Sequence, residues 1–255
     1  MILQEQEVGM DLRALSNVCL LCGVAFFITG CGSSQLPIDG KEAEEVFLEA
    51  QTLLKNENFE DAAARFKDVD TYFPYSQKAN EAQILSAYCN FKKGSYLDAV
   101  RELDIFLRYH PSHEMVPYAM YLRAVSKYMT VSTVGRSSDQ AKDAKVAFID
   151  LINRFPGSKY AKDSQEKIVI LDDIIAAHEL LIGKYYQKRK SSLSAINRYN
   201  YIVNKFPNAK STEEAFYRIV ECCKNEGLAD EALNAAEVLK MKFPDGQWTN
   251  KLKKL

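Results

Sequence analysis

A proline preceded by an aromatic ring or an imidazole recurs five times along this chain, at Phe73-Pro74, His110-Pro111, Phe155-Pro156, Phe206-Pro207 and Phe243-Pro244. The prolines lie 37, 45, 51 and 37 residues apart. Twelve residues before each of them stands an alanine: Ala62, Ala99, Ala144, Ala195 and Ala232. Proline lacks an N–H and its ring collides with the preceding turn, so each one is expected to end a helix. An alanine at a fixed distance upstream marks a point where two helices approach too closely for a longer side chain. Two further apolar sets follow each alanine, first Phe66, Leu103, Phe148, Tyr199 and Ala236, then Val69, Phe106, Leu151, Val203 and Leu239. Apolar residues near i, i+4 and i+7 form one buried stripe of a helix.

Placing each proline at position 32 of a 34-residue unit puts the alanines at position 20, which is the pattern of a tetratricopeptide repeat. The reading is all-α: an α-solenoid of about five tetratricopeptide-like helical hairpins, each packing on its neighbours. The units fall at 43–76, 80–113, 117–158, 162–209 and 213–246. First helices are marked by Val46, Phe47, Ala50 and Leu54, and again by Ala87, Tyr88 and Phe91. Gly94-Ser95 and Gly227 sit where the turn inside a hairpin belongs. The third unit carries its extra length between Tyr128 and Ala141, a loop; the fourth carries it in a long first helix, Asp163 to Gln187. An irregular helical bundle is the alternative.

Ahead of the repeats, Ala14 to Thr29 is apolar, follows Arg13 and ends at Gly30-Cys31. This is a signal-peptide core, short for a membrane span. Ile28-Thr29-Gly30-Cys31 resembles a bacterial lipobox, in which the cysteine is acylated by fatty (palmitate) chains and becomes the mature N-terminus. Residues 1–30 are thus expected to be a lipoprotein signal, with Cys31 the lipid anchor and 31–42, rich in small and polar residues, a flexible tether to the repeat domain at 43–255. Gly32 follows the cysteine in place of the aspartate that commonly retains such proteins at the inner membrane, so the periplasmic face of the outer membrane is the expected location. Met10 offers a second start, which would remove residues 1–9.

Once residues 1–30 are removed, 32 basic and 31 acidic side chains remain, and so balanced a surface gives no basis for binding nucleic acid. Cys89, Cys222 and Cys223 are then the unmodified cysteines, too few for a disulfide framework, and they read as small hydrophobes. His110, His113 and His178 fall in a turn and a separate helix, without further ligands at metal spacing. No phosphate loop, nucleophile elbow or zinc-helix motif occurs, so neither enzyme activity, a metal nor any cofactor beyond the lipid on Cys31 is expected. The tail after Pro244 ends in Trp248 and the basic stretch from Lys251 to Lys254, a solvated end or a contact for a partner or lipid.

Lipobox, tether and five hairpins with lengthened third and fourth units resemble the BamD family of the outer-membrane β-barrel assembly (BAM) machinery. Local matches run through Phe73-Pro74-Tyr75-Ser76-Gln77, Phe106 to His113, Tyr118 to Arg123, Ala147-Phe148, Arg154 to Tyr160, Tyr185-Tyr186 and Ala195-Ile196-Asn197-Arg198, covering most of the mature chain. The resemblance implies an assembly factor beside BamA, holding its POTRA domains through the C-terminal hairpins, with Arg198 as the leading contact and Asn197 and Tyr186 beside it. Other BAM lipoproteins, outer-membrane lipid and unfolded β-barrel precursors are the further implied partners. Precursors in this family meet the N-terminal hairpins, where the groove positions of a tetratricopeptide array are Phe47, Gln51, Leu54 and Lys55, then Tyr88, Phe91 and Lys92. Core packing competes with groove exposure for Leu54 and Phe91. The rival readings are a periplasmic tetratricopeptide adaptor of the Tol and cell-division system, which typically has a coiled coil and no lipobox, and a lipid-anchored hydrolase.

Overall fold

The computed structural model describes residues 38–131 and 138–252, and every regular element among them is an α-helix. The helices form successive antiparallel pairs: α1 (Ala43–Lys55) with α2 (Phe59–Tyr72), α3 (Ala79–Lys92) with α4 (Tyr96–Tyr109), α5 (Val116–Met129) with α6 (Asp139–Arg154), α7 (Ala161–Lys188) with α8 (Ser192–Lys205), and α9 (Thr212–Asn225) with α10 (Ala229–Lys242). A short α11 (Gln247–Leu252) follows and packs on α9. Each helix packs chiefly on the ones before and after it in sequence, the arrangement of a helical-hairpin solenoid. Cys31 and the tether up to residue 37 lie outside the described residues.

Both kinds of connection repeat. At the end of a second helix, the residue before proline is driven out of the helical region by the ring that follows. Phe73, His110, Phe155, Phe206 and Phe243 accordingly lie at φ −130°, −126°, −135°, −131° and −131°. Inside a hairpin the first helix ends in a left-handed residue at Glu57, Gly94, Lys190 and Gly227. The next N–H then reaches back five residues, as in Ser95 N to Asn90 O at 2.9 Å and Ser191 N to Tyr186 O at 3.0 Å, capping the last carbonyls. Glycine adopts this conformation without penalty, whereas a Cβ there costs about 1 kcal/mol. Lys190, at φ 60°, is therefore strained, and Lys190→Gly is expected to stabilise the protein by about 1 kcal/mol in urea unfolding.

The five repeat alanines are all buried, and Phe66, Leu103, Phe148 and Tyr199 beside them are fully enclosed. One position of the stripe needs correction. In the fourth hairpin it is Ile202 that is buried, five residues before Pro207, while Val203 is only partly covered. Phe47 also differs from the groove expectation, being 2% exposed. Its ring meets Phe66 edge-on at 5.4 Å, and Lys78 Nζ lies 4.8 Å from its centre, so it belongs to the first hairpin's core.

Cys89, Cys222 and Cys223 are buried free thiols, pushed up to about 12 at Cys89 and about 11 at Cys222 by loss of solvation, which leaves them inert. Near Cys89, burial also raises the carboxyl pKa of Glu102, opposed by hydrogen bonds that include one from Asn90 Nδ2 at 3.0 Å. A carboxyl whose folded pKa is raised adds most stability when protonated, and that contribution is lost as pH rises from the ordinary carboxyl value through the folded one. Glu102→Gln is thus expected to unfold at higher urea than the wild type at about pH 7 and at the same urea near pH 4, the difference opening above the ordinary carboxyl pKa.

Candidate functional site

The long α7 and its partner α8 carry the residues expected to meet a partner. Tyr186 of α7 and Ser194, Asn197, Arg198 and Tyr201 of α8 line a cleft of about 360 Å³. The four α8 residues sit at i−4, i−1, i and i+3 around Arg198, one face of the helix. All three residues expected to meet a partner here, Tyr186, Asn197 and Arg198, are brought together. A second cleft of about 340 Å³, lined by His178, Leu181, Ile182, Tyr185 and Tyr186, continues along α7.

Arg198 is held from beneath. Its Nη1 donates to Glu179 Oε2 at 3.1 Å, and Glu179 is only 4% exposed. Lys142 of α6 approaches the other oxygen of that carboxylate at 3.9 Å. A buried carboxylate is costly unless paired, and Glu179 has both cations as partners, which in turn are held in place by it. Arg198 itself stays 44% exposed along its side chain. A guanidinium has five N–H donors, so one ion pair leaves most of the fork available to a carboxylate of another molecule.

Around this cation the surface is aromatic. Tyr185 and Tyr186 pack at 5.7 Å, Arg189 lies 4.7 Å from the Tyr185 ring centre, and Tyr201 meets Phe206 at 5.7 Å. Leu181, Tyr185 and Tyr201 are exposed. Tyrosine and arginine around apolar ground are the residues that concentrate binding energy at protein interfaces. Ser194 and Tyr201 were recoverable from helical spacing about Arg198. Glu179, 19 residues away on another helix, left no local signal.

The expected N-terminal groove is less concentrated. Gln51 is half-buried and Lys55 exposed on α1; Tyr88 is half-buried and Lys92 exposed on α3. Tyr88 leans on the core of the second hairpin, and Lys92 Nζ lies 5.5 Å from the Phe59 ring. Leu54 and Phe91 pack against cores. At the other end, Glu213 accepts the N–H groups of Trp248 at 2.7 Å and Thr249 at 3.2 Å, capping α11. Trp248 meets the Tyr217 ring at a tilt, 5.0 Å between centres, and lies beneath Arg218 and Lys251, so the start of the basic tail is anchored on α9.

Among the described residues no group of three or more His, Cys, Asp or Glu is placed to hold a metal, and no helix is long and apolar enough to cross a membrane. Stacked hairpins with an aromatic, cation-centred face define a helical-repeat scaffold. A family model described as YfiO, outer membrane lipoprotein, matches residues 39–239, and the chain belongs to that family. It is similar to the outer membrane protein assembly factor BamD of Rickettsia prowazekii, at 32% identity covering 94% of this chain and 95% of that one. BamD of Caulobacter vibrioides is 28% identical over 88% and 75%, and BamD of Neisseria meningitidis serogroup B is 29% identical over 79% of each. Among solved structures, the TPR2AB domain of yeast Sti1 aligns over 81% of this chain and 80% of that one, with TM-score 0.42 and 12% identity. By family the chain is an outer membrane protein assembly factor, and it is not an enzyme.

Proposed function

We propose that this protein is a periplasmic scaffold of the BAM complex, tied to the outer membrane by acyl chains on Cys31, that holds the POTRA domains of BamA and receives unfolded β-barrel precursors for insertion. The observation carrying this reading is the convergence of Tyr186, Asn197 and Arg198 in one cleft on α7 and α8. Arg198 is oriented in advance by Glu179, so docking a partner carboxylate on it orders little that is not already ordered. The exposed tyrosines supply contact area with few rotatable bonds.

The membrane anchor follows from the lipobox. Each buried CH₂ contributes about 0.8 kcal/mol, so several acyl chains keep a soluble repeat domain on a bilayer without a spanning helix. Precursor segments would meet the N-terminal hairpins through Gln51, Lys55, Tyr88 and Lys92, where lysine ammonium groups suit a terminal carboxylate. Phe47 takes no part, being core. Other BAM lipoproteins would share the remaining surface.

Co-purification of BamA from detergent extract tests the reading. The paired change Tyr186→Ala and Asn197→Ala removes cleft contacts while leaving the Arg198–Glu179 pair in place. BamA recovery is expected to fall about tenfold or more, since losing two central contacts removes a few kcal/mol of binding energy. Full recovery of BamA, or recovery of Tol components in its stead, would overturn it.

A further inference from the structure

The chain enters the first hairpin through a clamp. Gly40, at φ 80°, turns it so that Lys41 N donates to Ile38 O at 3.0 Å. Lys41 Nζ then donates to Glu49 Oε1 at 2.5 Å, while the other oxygen of that carboxylate accepts Arg65 Nε of α2 at 2.9 Å. Arg65 is buried, so the shared carboxylate ties Lys41 to the hairpin at one edge. From Cys31 to Ile38 there are seven residue steps, at most about 25 Å when drawn straight. That is scarcely more than the roughly 21 Å length of the 14-residue α2. An acylated Cys31 therefore keeps this edge, and not the opposite one, close to the bilayer.

Antiparallel packing puts the turns at 73–78 and 110–115 on the same edge, and Lys78 Nζ reaches Glu44 at the start of α1 at 4.0 Å. Three tyrosines stand out from it: Tyr72 is 60% exposed, Tyr109 70% and Tyr75 fully. Tyr72 and Tyr109 hold the position two residues before the turn proline, which in the later hairpins is Arg154, Lys205 and Lys242, all exposed. Tyr75 follows its proline, where the later turns have Ser112, Gly157, Asn208 and Asp245. The same site in the same fold thus carries polar groups far from the anchor and phenol rings beside it. A ring with a polar tip gains most where apolar and wet regions meet, as at the headgroup level of a bilayer. Glu42, Glu44 and Glu45 offset Lys41 and Lys78, so no cationic patch selects anionic lipid. We propose that this edge lies on the membrane, with Tyr72, Tyr75 and Tyr109 seated among the headgroups of a zwitterionic phospholipid surface. The orientation rests on acylation of Cys31. Gln51, Lys55, Tyr88 and Lys92, on the later turns of α1 and α3, lie toward the opposite edge and stay clear of the lipid.

A nitroxide depth measurement on the acylated full chain, in vesicles of phosphatidylcholine and phosphatidylethanolamine, tests this. The label is placed on Thr71→Cys or on its counterpart in the last hairpin, Met241→Cys, both exposed sites three residues before a turn proline. Cys89, Cys222 and Cys223 are buried, so the introduced thiol takes the label. The label at position 71 is expected at headgroup depth, shielded from a water-soluble nickel complex, and the label at 241 in water. Changing Tyr72→Ser, Tyr75→Ser and Tyr109→Ser together should abolish the shielding at 71 while the chain still sediments with the vesicles through its acyl chains. Thermal unfolding should hold, since all three rings are exposed. A sedimenting chain with position 71 as open to nickel as position 241, or shielding that survives the triple change, would overturn the orientation and leave the anchor standing. A chain that fails to sediment would overturn the anchor and the orientation with it.

Discussion

Gly183→Leu is expected to destabilise the protein by about 3 kcal/mol or more, the scale of an overpacked core where neighbours cannot yield. Gly183 lies inside the 28-residue α7, where glycine is otherwise unfavourable. The reason it is there is the ring opposite. A Cβ at Gly183 would fall 2.3 Å from Tyr199 Cε1 and 2.8 Å from Cδ1 and Cζ, so backbone and ring occupy nearly touching positions. Tyr199 cannot swing aside, because it is fully buried and its hydroxyl donates to Gln187 Oε1 at 2.9 Å. Burial also raises the phenol pKa, which keeps it a donor across the physiological range. If the clash is the cause, adding Tyr199→Ala to Gly183→Leu should cost less than the sum of the two single changes by at least about 1 kcal/mol. Strict additivity in urea unfolding would mean that the two residues are not coupled.

Arg198→Glu is the second large effect, at about 3 kcal/mol, because it sets a like charge against a buried carboxylate. Glu179 would keep only Lys142, at 3.9 Å, in place of two cations. Arg198→Ala should cost less, about 1–2 kcal/mol, since Arg198 is partly solvated and Lys142 remains. The double change Glu179→Gln with Arg198→Gln removes both charges and should restore most of the stability lost in Arg198→Glu. This pairing also determines how Arg198 must be tested functionally. Charge reversal alone weakens the fourth hairpin as well as any docking on it, and only the charge-free double variant separates the two.

The sequence made the hairpins legible because their determinants are local and repeated. Proline ends a helix through its own ring, and alanine at a crossing is selected by one nearby neighbour, so Ala62, Ala99, Ala144, Ala195 and Ala232 could be aligned by eye and are all buried. The α8 face around Arg198 was legible for the same reason, helical spacing. What stayed hidden depends on residues far apart in the chain. Glu179 under Arg198, Gly183 against Tyr199, and Glu213 capping α11 each join two elements with no pattern in either segment. Phe47 misled because its place in a first helix suits both a groove and a core. The presence of Phe66 on α2, 5.4 Å away, decides for the core.

The proposal that the α7–α8 face grips BamA is tested most directly by site-specific photo-crosslinking in intact cells. A photoreactive residue in place of Tyr201, which is exposed and lines the Arg198 cleft, should yield a covalent adduct containing a POTRA domain of BamA. The same residue in place of exposed Leu97, on the distant α4, should not. A BamA adduct from position 97 with none from position 201 would contradict the assignment.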